Sequence, residues 1–278
     1  MNQPFDPYAA PKAAVVGYAP SQAATTGTPI DFTGQQVLLG AFAVFKKRWQ
    51  ELLLVYFVFF LIMAGALVLF LGPAFASGAF DTTVNGIHTP GTAPGLNPGA
   101  SLGLGVGGLV FAVMMVVLLP GLMRVSLNAV HNEPVEISVL FSERRHWARY
   151  LGLGMWTYLV FVVSFVTLFI YGFWWLIATM PVWFLIVDKN LGVFEGIRVA
   201  KEMTAGRRMS IWGAYGWMFL ATIVIGIAAA FLGFLSPVLS IIATIVPRVV
   251  LQLVGQLMPA WMYAAMDGTL PPEYENQN

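Results

Sequence analysis

The chain is poor in charge and contains no cysteine. Without cysteine it can form no disulfide framework, no thiolate metal site and no cysteine nucleophile. Charged residues make up 10% of its 278 positions, hydrophobic residues make up 58%, and the mean hydropathy is +0.77. A soluble domain of this length needs far more charge to cover its surface, so the composition predicts an all-α membrane protein. The net charge of +1 argues against nucleic-acid binding.

Catalytic patterns are also missing from the sequence. The three histidines, His88, His131 and His146, are far apart and lack metal-ligand spacing, and there is no HExxH, Walker or GxSxG motif. Asp188 and its acidic neighbours have Lys or Arg close by in the sequence, which is typical of solvated ion pairs. We therefore predict a protein that is not an enzyme and has no catalytic residue, no metal and no cofactor.

Long apolar stretches predict six transmembrane helices, since one span needs about 20 apolar residues. The predicted spans are 52–72, 102–123, 150–171, 173–187, 210–234 and 248–266. The third and fourth come from one apolar run, 150–187, which is long enough for a hairpin with its turn near Tyr171 and Gly172. The apolar segment 235–247 is too short to cross, so we expect it at the far interface or re-entering partway. In the second span Gly103 and Gly107 form a GxxxG pair, which favours close helix packing within the bundle.

The flanking segments complete the domain organisation. Residues 1–30 are rich in Pro and Ala without periodicity, and we expect a disordered cytoplasmic tail. Residues 31–266 form the predicted six-helix membrane domain, and 267–278 form a short cytoplasmic tail.

The distribution of basic residues predicts the orientation. With this threading, thirteen of the fourteen Lys and Arg residues fall on one side of the membrane, and Arg248 is the exception. Lys and Arg stay in the cytoplasm, so both termini are placed inside. The predicted location is the bacterial cytoplasmic (inner) membrane.

Most of the basic residues come in clusters that predict three internal repeats. The clusters are Lys46, Lys47 and Arg48; Arg144 and Arg145; and Arg207 and Arg208. Each lies beside an amphipathic stretch and ahead of a span that closes on Gly, and the distances from Lys47 to Gly72, Arg145 to Gly172 and Arg208 to Gly233 are 25, 27 and 25 positions. The pattern favours three units, each an interfacial helix followed by a helical hairpin.

The clusters have two interpretations. In one, the apolar faces of the interfacial helices lie in the headgroup boundary while the basic side chains contact anionic lipid phosphates. In the other, the basic residues only set the topology. Membrane lipids with anionic headgroups are the expected partners, and a membrane-protein partner or a second copy of the chain is also expected.

Two stretches carry a resemblance to a known family. They are DFTGQQVLLGAFAVFKKRWQELLLVYF and MPVWFLIVDKNLGVFEGIRVAKEMTAGRRMSIWG. The order of span, Val-Asp-Lys, Leu-Gly, short helix, Thr-x-Gly and basic pair in the second resembles a group of bacterial six-helix membrane proteins of mostly unknown function. That group is related to the membrane domain of some glycerophosphodiester phosphodiesterases. The resemblance implies the membrane architecture and not hydrolysis, because the matching residues belong to the membrane domain.

One polar face lies inside the last predicted span. Arg248, Gln252 and Gln256 recur every four residues, so they share one side of a helix. They either line a polar cavity, or Arg248 snorkels to the interface while the glutamines bond neighbouring helices. We predict a lipid-contacting scaffold or a subunit of a membrane complex. The alternative is a transporter or channel for a small, mostly neutral or amphipathic solute. A lipid enzyme would need carboxylates or histidines converging at a headgroup-level pocket.

Overall fold

The protein is an all-helical bundle. A computed structural model describes residues 29–76, 98–164 and 170–275, and these ranges contain helices and no strand. The predicted disordered tail, 1–30, therefore lies almost wholly outside the described residues, as do part of the loop after the first span and residues 165–169.

Five of the helices in the described ranges are long and the others are shorter. The long ones are α1 (Gly34–Ala76), α2 (Pro98–Val130), α4 (Trp147–Ser164), α8 (Arg208–Leu235) and α9 (Pro237–Asp267). Between them lie α3 (Ile137–Ser142), a 3-10 turn (Glu143–His146), α5 (Ile170–Thr179), α6 (Val182–Asp188) and α7 (Val193–Met203), and α10 (Pro272–Glu275) follows the last long helix.

Five stretches of the described residues are long and apolar enough to cross a membrane. They are Gly34–Gly72, Gly105–Val130, Tyr171–Asp188, Arg208–Phe234 and Val238–Asp267. The chain is therefore a multi-pass helical membrane protein. The predicted span 150–171 overlaps α4, which is not among the five.

Segment 235–247 is not separated from the last predicted span. Only Ser236, with an extended backbone (φ −163°, ψ 132°), separates α8 from α9, and Pro237 begins a helix that continues without a break to Asp267. Proline suits the first turn of a helix because its missing N–H has no partner there anyway. Pro247 lies inside α9 and does not end it. The segment is thus the first third of a long helix, and the predicted span 248–266 is the remainder.

The first half of α1 packs against other helices instead of lying only at a lipid surface. A kink at Arg48 (φ −128°, ψ 23°) separates it from the spanning half. Val37 and Ala41 are fully buried, and a Cβ added to Gly40 would lie 2.4 Å from the indole of Trp261 in α9. Phe42 of the same helix is 47% exposed. The amphipathic pattern thus describes a helix that is docked on one side and open on the other.

The GxxxG pair lies partly inside the α1–α2 hairpin. A Cβ added to Gly107 would be 2.4 Å from the Cα of Phe70, so the backbones of α1 and α2 approach closely at this point. Packing of Gly107 within the chain is therefore confirmed.

Three helices end in the same way at one end of the bundle. After α2, α6 and α9 the chain passes through a left-handed residue, respectively Asn132 (φ 60°), Asn190 (φ 55°) and Gly268 (φ 70°). Gly192 occupies the N-cap position of α7, and Asn190 Oδ1 accepts a hydrogen bond from Arg149. We call this end, which carries the basic clusters, the basic end.

At the basic end, a second helix packs against each of the three helices α2, α6 and α9. The α3 helix lies on α2, where a Cβ added to Gly121 would be 1.9 Å from the carbonyl oxygen of Leu140. The α7 helix lies on α6, where the same addition to Gly196 would meet Val182 at 3.2 Å. The first half of α1 lies on α9, where Phe32 and Trp261 form an edge-to-face pair 5.9 Å apart. The first and last parts of the described chain therefore meet.

Candidate functional site

The first basic cluster is largely used inside the molecule. Lys47 Nζ donates hydrogen bonds to Asn132 Oδ1 at 2.9 Å and to Glu273 Oε1 at 3.1 Å. The hydrogen bonds from Lys47 and Asn132 hold the pKa of the Glu273 carboxyl below its usual value, so this carboxylate stays charged. Lys47 thus ties the kinked region of α1 to α10 and to the end of α2.

Arg48 is also bound internally. Its guanidinium donates to the carbonyl oxygens of Asn128, at 3.3 Å, and Glu133, and it pairs with Glu51 at 3.0 Å. The side chain is only 14% exposed. Of this cluster, Lys46 alone is exposed with no polar partner in the described part of the chain.

The third cluster has internal partners as well. Arg207 Nε donates to Asp31 Oδ1 at 2.8 Å, and its Nη1 donates to the carbonyl oxygen of Met203 at 3.3 Å. The guanidinium of Arg208 lies 5.0 Å from the ring centroid of Trp174, a cation–π contact. These contacts fasten the start of α8 to the segment before α1 and to α5.

The second cluster stands on a buried acid–histidine pair. Glu143 and His146 are 5% and 2% exposed, and Glu143 Oε2 lies 3.2 Å from His146 Nε2. Burial acts to raise the pKa of Glu143, but hydrogen bonding to His146 and the nearby positive charges lower it overall. Arg145 lies above this pair, with its Nε 3.7 Å from Glu143 Oε2 and 3.1 Å from His146 Nε2. The buried pair therefore fixes the position of Arg145.

Beside this cluster α2 and α4 leave an open apolar cleft of about 760 Å³. Its lining residues are Leu109, Ala112, Val113, Val116 and Val117 of α2, Arg144 and Arg145 of the 3-10 turn, and Trp147 and Leu151 of α4. The guanidinium of Arg144 is exposed and has no hydrogen-bond or ion-pair partner among the residues that the structure describes. A cleft whose lining is almost wholly hydrocarbon, bordered by the side chains of Arg144 and Arg145, is a candidate binding site for an amphipathic anion.

A second polar group joins three helices at the basic end. Arg124 of α2 lies 3.4 Å from Asp188 Oδ1 of α6, and Tyr263 of α9 donates its hydroxyl to Asp188 Oδ2 at 2.8 Å. Arg124 also lies 4.0 Å from Glu133. Asp188 was expected to be a solvated ion pair with its sequence neighbours. The structure instead places it between two other helices, with its side chain 23% exposed.

His131 lies at the edge of this group. Its Nε2 is 3.1 Å from Thr269 Oγ1, and burial lowers the pKa of the ring, partly offset by the carboxylates of Asp188 and Glu133. Neither Arg124 nor Tyr263 was predicted from the sequence to be a site residue. The signal available for Arg124 was its position inside an apolar stretch, where a charged residue needs a partner.

The predicted polar face of the last span is on the surface of the helix bundle. Arg248 and Gln252 are exposed and Gln256 is half-buried. The apolar cleft between α2 and α4 is lined by other residues. The three side chains therefore share one face of α9, as predicted, and that face is turned outward from the bundle.

The geometry assigns the lipid-contact candidates to two groups. Lys47, Arg48, Arg207 and Arg208 bind protein groups, whereas Lys46 and Arg144 have no such partner in the described ranges and Arg145 lies beside the cleft. The carboxylate of Glu143 and the imidazole of His146 come together beside Arg145, and neither residue is among those that line the cleft. The exposed guanidinium of Arg144 is thus the candidate anion contact at the cleft.

In comparisons with known proteins, no family model matches the chain, and neither a curated protein nor a solved structure does. The resemblance to six-helix bacterial membrane proteins therefore stays a prediction.

Proposed function

We propose that the protein is a non-enzymatic component of the bacterial cytoplasmic membrane that acts as a lipid-contacting scaffold or as a subunit of a membrane complex. The observation that carries this proposal is the most apolar part of the α8–α9 hairpin, which the rest of the described chain leaves almost uncovered. In the most apolar 18-residue window of each helix, 6% of the residues are buried in α8 and 11% in α9, compared with 33% in α1 and 28% in α2.

The uncovered hairpin is not uniformly suited to lipid. Arg248 and Gln252 lie on its exposed surface, and placing a charged side chain against hydrocarbon costs about 3 kcal/mol at mid-membrane. At about 1.5 Å per residue, the 28 residues of α8 extend about 42 Å, compared with a hydrocarbon thickness of about 30 Å. Excess apolar length favours tilt or association with another helix. A partner that covers this hairpin would bury the excess apolar length of α8 and would also provide contacts for Arg248 and Gln252.

The proposed topology has six spans and places both termini in the cytoplasm. The backbone N–H of Ile30 donates to the carbonyl oxygen of Ala265 at 3.0 Å, and Lys47 pairs with Glu273. The two ends of the described chain are thus at the basic end, which requires an even number of crossings. Five apolar stretches together with α4 supply six, and the concentration of Lys and Arg at the basic end favours its cytoplasmic location.

The proposed three repeats are supported by the three helices that fold back at the basic end. In each case a helix ends on a left-handed residue and an amphipathic helix packs on it before the next long helix begins. The third case joins the end of the chain to its beginning, so the proposed units close into a ring.

Cross-linking at the hairpin tests the scaffold role. Because the sequence contains no cysteine, each single-cysteine variant has only one reactive thiol. Arg248→Cys and Gln252→Cys, labelled in native membranes with a membrane-permeant benzophenone maleimide and then irradiated so that the benzophenone inserts into a neighbouring C–H bond, are expected to give one discrete adduct. Its mass distinguishes a second copy of the chain from a different subunit. Val68→Cys is the matched control, because Val68 is 68% exposed on α1. The same adduct pattern for all three variants, or none, would contradict a partner at this face.

Thiol labelling tests the topology separately. Tyr171 is 53% exposed at the start of α5. With six spans, Tyr171→Cys reacts with an impermeant maleimide added outside intact cells, whereas Lys46→Cys reacts only after the membrane is opened. If both react only from the inside, the α4–α5 hairpin does not cross and the chain has four spans.

A further inference from the structure

The cleft between α2 and α4 combines two surfaces of different chemistry. One wall is made of the aliphatic side chains Leu109, Val113 and Val116, and the opposite side carries Trp147 and Leu151. The charged residues that line it are Arg144 and Arg145. Its volume of about 760 Å³ lies within the range of about 300–1,000 Å³ that is usual for sites of small ligands.

The two arginines differ in how they are held. Arg145 is positioned by the buried Glu143 and His146, whereas Arg144 has no polar partner in the described residues. Two adjacent guanidinium groups suit a phosphate, because each presents several donors in a planar fork. Placed at the border of a hydrocarbon-lined cleft, they match a molecule whose phosphate is joined to an alkyl chain.

Arg208 offers a contrast within the chain. It follows the amphipathic helix α7 and begins the long helix α8, but its guanidinium lies 5.0 Å from the ring centroid of Trp174. The guanidinium of Arg144 is exposed and has no hydrogen-bond or ion-pair partner among the described residues. Of these two, Arg144 is therefore the guanidinium that is open to a ligand.

We propose that this cleft binds one anionic phospholipid from the leaflet at the basic end. Its phosphate contacts Arg144, with Arg145 held beside it, and one acyl chain lies along α2 against Val113 and Val116. The inference rests on the lipid-contacting part of the proposed function and names its site and ligand. Because it concerns the purified chain and its lipid, it is tested independently of any partner at the α8–α9 hairpin.

The experiment titrates the full-length protein, in a mild detergent, with phosphatidylglycerol or phosphatidylcholine and counts retained lipids by native mass spectrometry. Arg144→Gln is expected to weaken phosphatidylglycerol retention about tenfold, as the loss of charge-assisted hydrogen bonds predicts, and to leave phosphatidylcholine unchanged. Lys46→Gln is the matched control, since it removes an equally exposed charge away from the cleft. Equal retention by these two variants would overturn the proposal.

A second variant tests the acyl-chain part. Ala112→Phe narrows the cleft and keeps both arginines, so it is expected to weaken phosphatidylglycerol retention about as strongly. Thermal melting checks its fold, and Val113→Phe replaces it if its melting temperature falls. Retention equal to wild type in a folded cleft-filling variant would show that the cleft is not the site. Displacement of phosphatidylglycerol by millimolar inorganic phosphate would mean that the arginines bind a free anion, which would also overturn the proposal.

Discussion

Replacing Arg48 by alanine tests whether the basic clusters act through internal contacts or only through their charge. The guanidinium makes two hydrogen bonds to backbone carbonyls of Asn128 and Glu133, and a hydrogen bond to a charged group contributes about 1.5–3 kcal/mol. One of the two is long, at 3.3 Å, and the ion pair with the half-exposed Glu51 adds less than about 1 kcal/mol. We therefore expect Arg48→Ala to lower the free energy of unfolding by about 3 kcal/mol.

The assay is reversible unfolding in mixed micelles of a mild detergent and SDS, followed by tryptophan fluorescence. Thermal melting gives a second reading. For a domain of this size, about 3 kcal/mol corresponds to a fall in melting temperature of about 6–12 °C. Topology is measured in the same variant by thiol labelling, because the internal-contact explanation leaves the orientation unchanged.

The neighbouring Lys46→Ala variant separates contact from charge. Lys46 carries the same charge one position away, is exposed, and has no polar partner in the described part of the chain. Its removal is expected to change the free energy of unfolding by less than about 0.5 kcal/mol. If Lys46→Ala and Arg48→Ala lose the same amount of stability, or if both alter the orientation alone, the reasoning is refuted.

Two further perturbations are expected to lower the stability of the protein. Gly121→Ala places a Cβ 1.9 Å from the Leu140 carbonyl oxygen and should cost at least about 2 kcal/mol in detergent unfolding, whereas Gly105→Ala, which meets open space, should cost little and serves as its control. The lowered pKa of His131 means that the unfolded chain binds more protons just below its usual value of about 6.5. Stability should therefore fall as the pH drops from about 7.5 to about 5.5, and less steeply in His131→Gln, as melting temperatures will show. Equal slopes would contradict this.

Hydropathy predicted the long helices because lipid, and not the protein interior, covers most of their surface. A stretch such as Arg208–Phe234 stays apolar on all sides, so its membrane role is visible without any knowledge of its neighbours. The break between α8 and α9 was missed because it consists of the single residue Ser236, while Pro247, which looks like a boundary, lies inside a continuous helix. Proline is a weaker signal in membrane helices than in soluble ones.

The roles of the basic residues could not be predicted from local pattern. Lys47 bonds Asn132 and Glu273, which are 85 and 226 positions away, and Arg207 bonds Asp31 across 176 positions. No spacing rule connects residues so far apart. The cleft beside Arg144 was equally hidden, because it depends on how α4 leaves α2 and not on the residues of either helix alone.

The junction between the two ends of the chain has a consequence for biosynthesis. A membrane protein is inserted from its N-terminus, so α1 enters the bilayer long before α9 has been synthesised. The side chains of Val37 and Ala41, buried in the finished molecule, then have only lipid to cover them. Glu273, the acceptor for Lys47, is made 226 positions later, and Trp261, the partner of the first half of α1, also follows long after it. The first half of α1 therefore cannot reach its final packing until α9 and α10 have been synthesised.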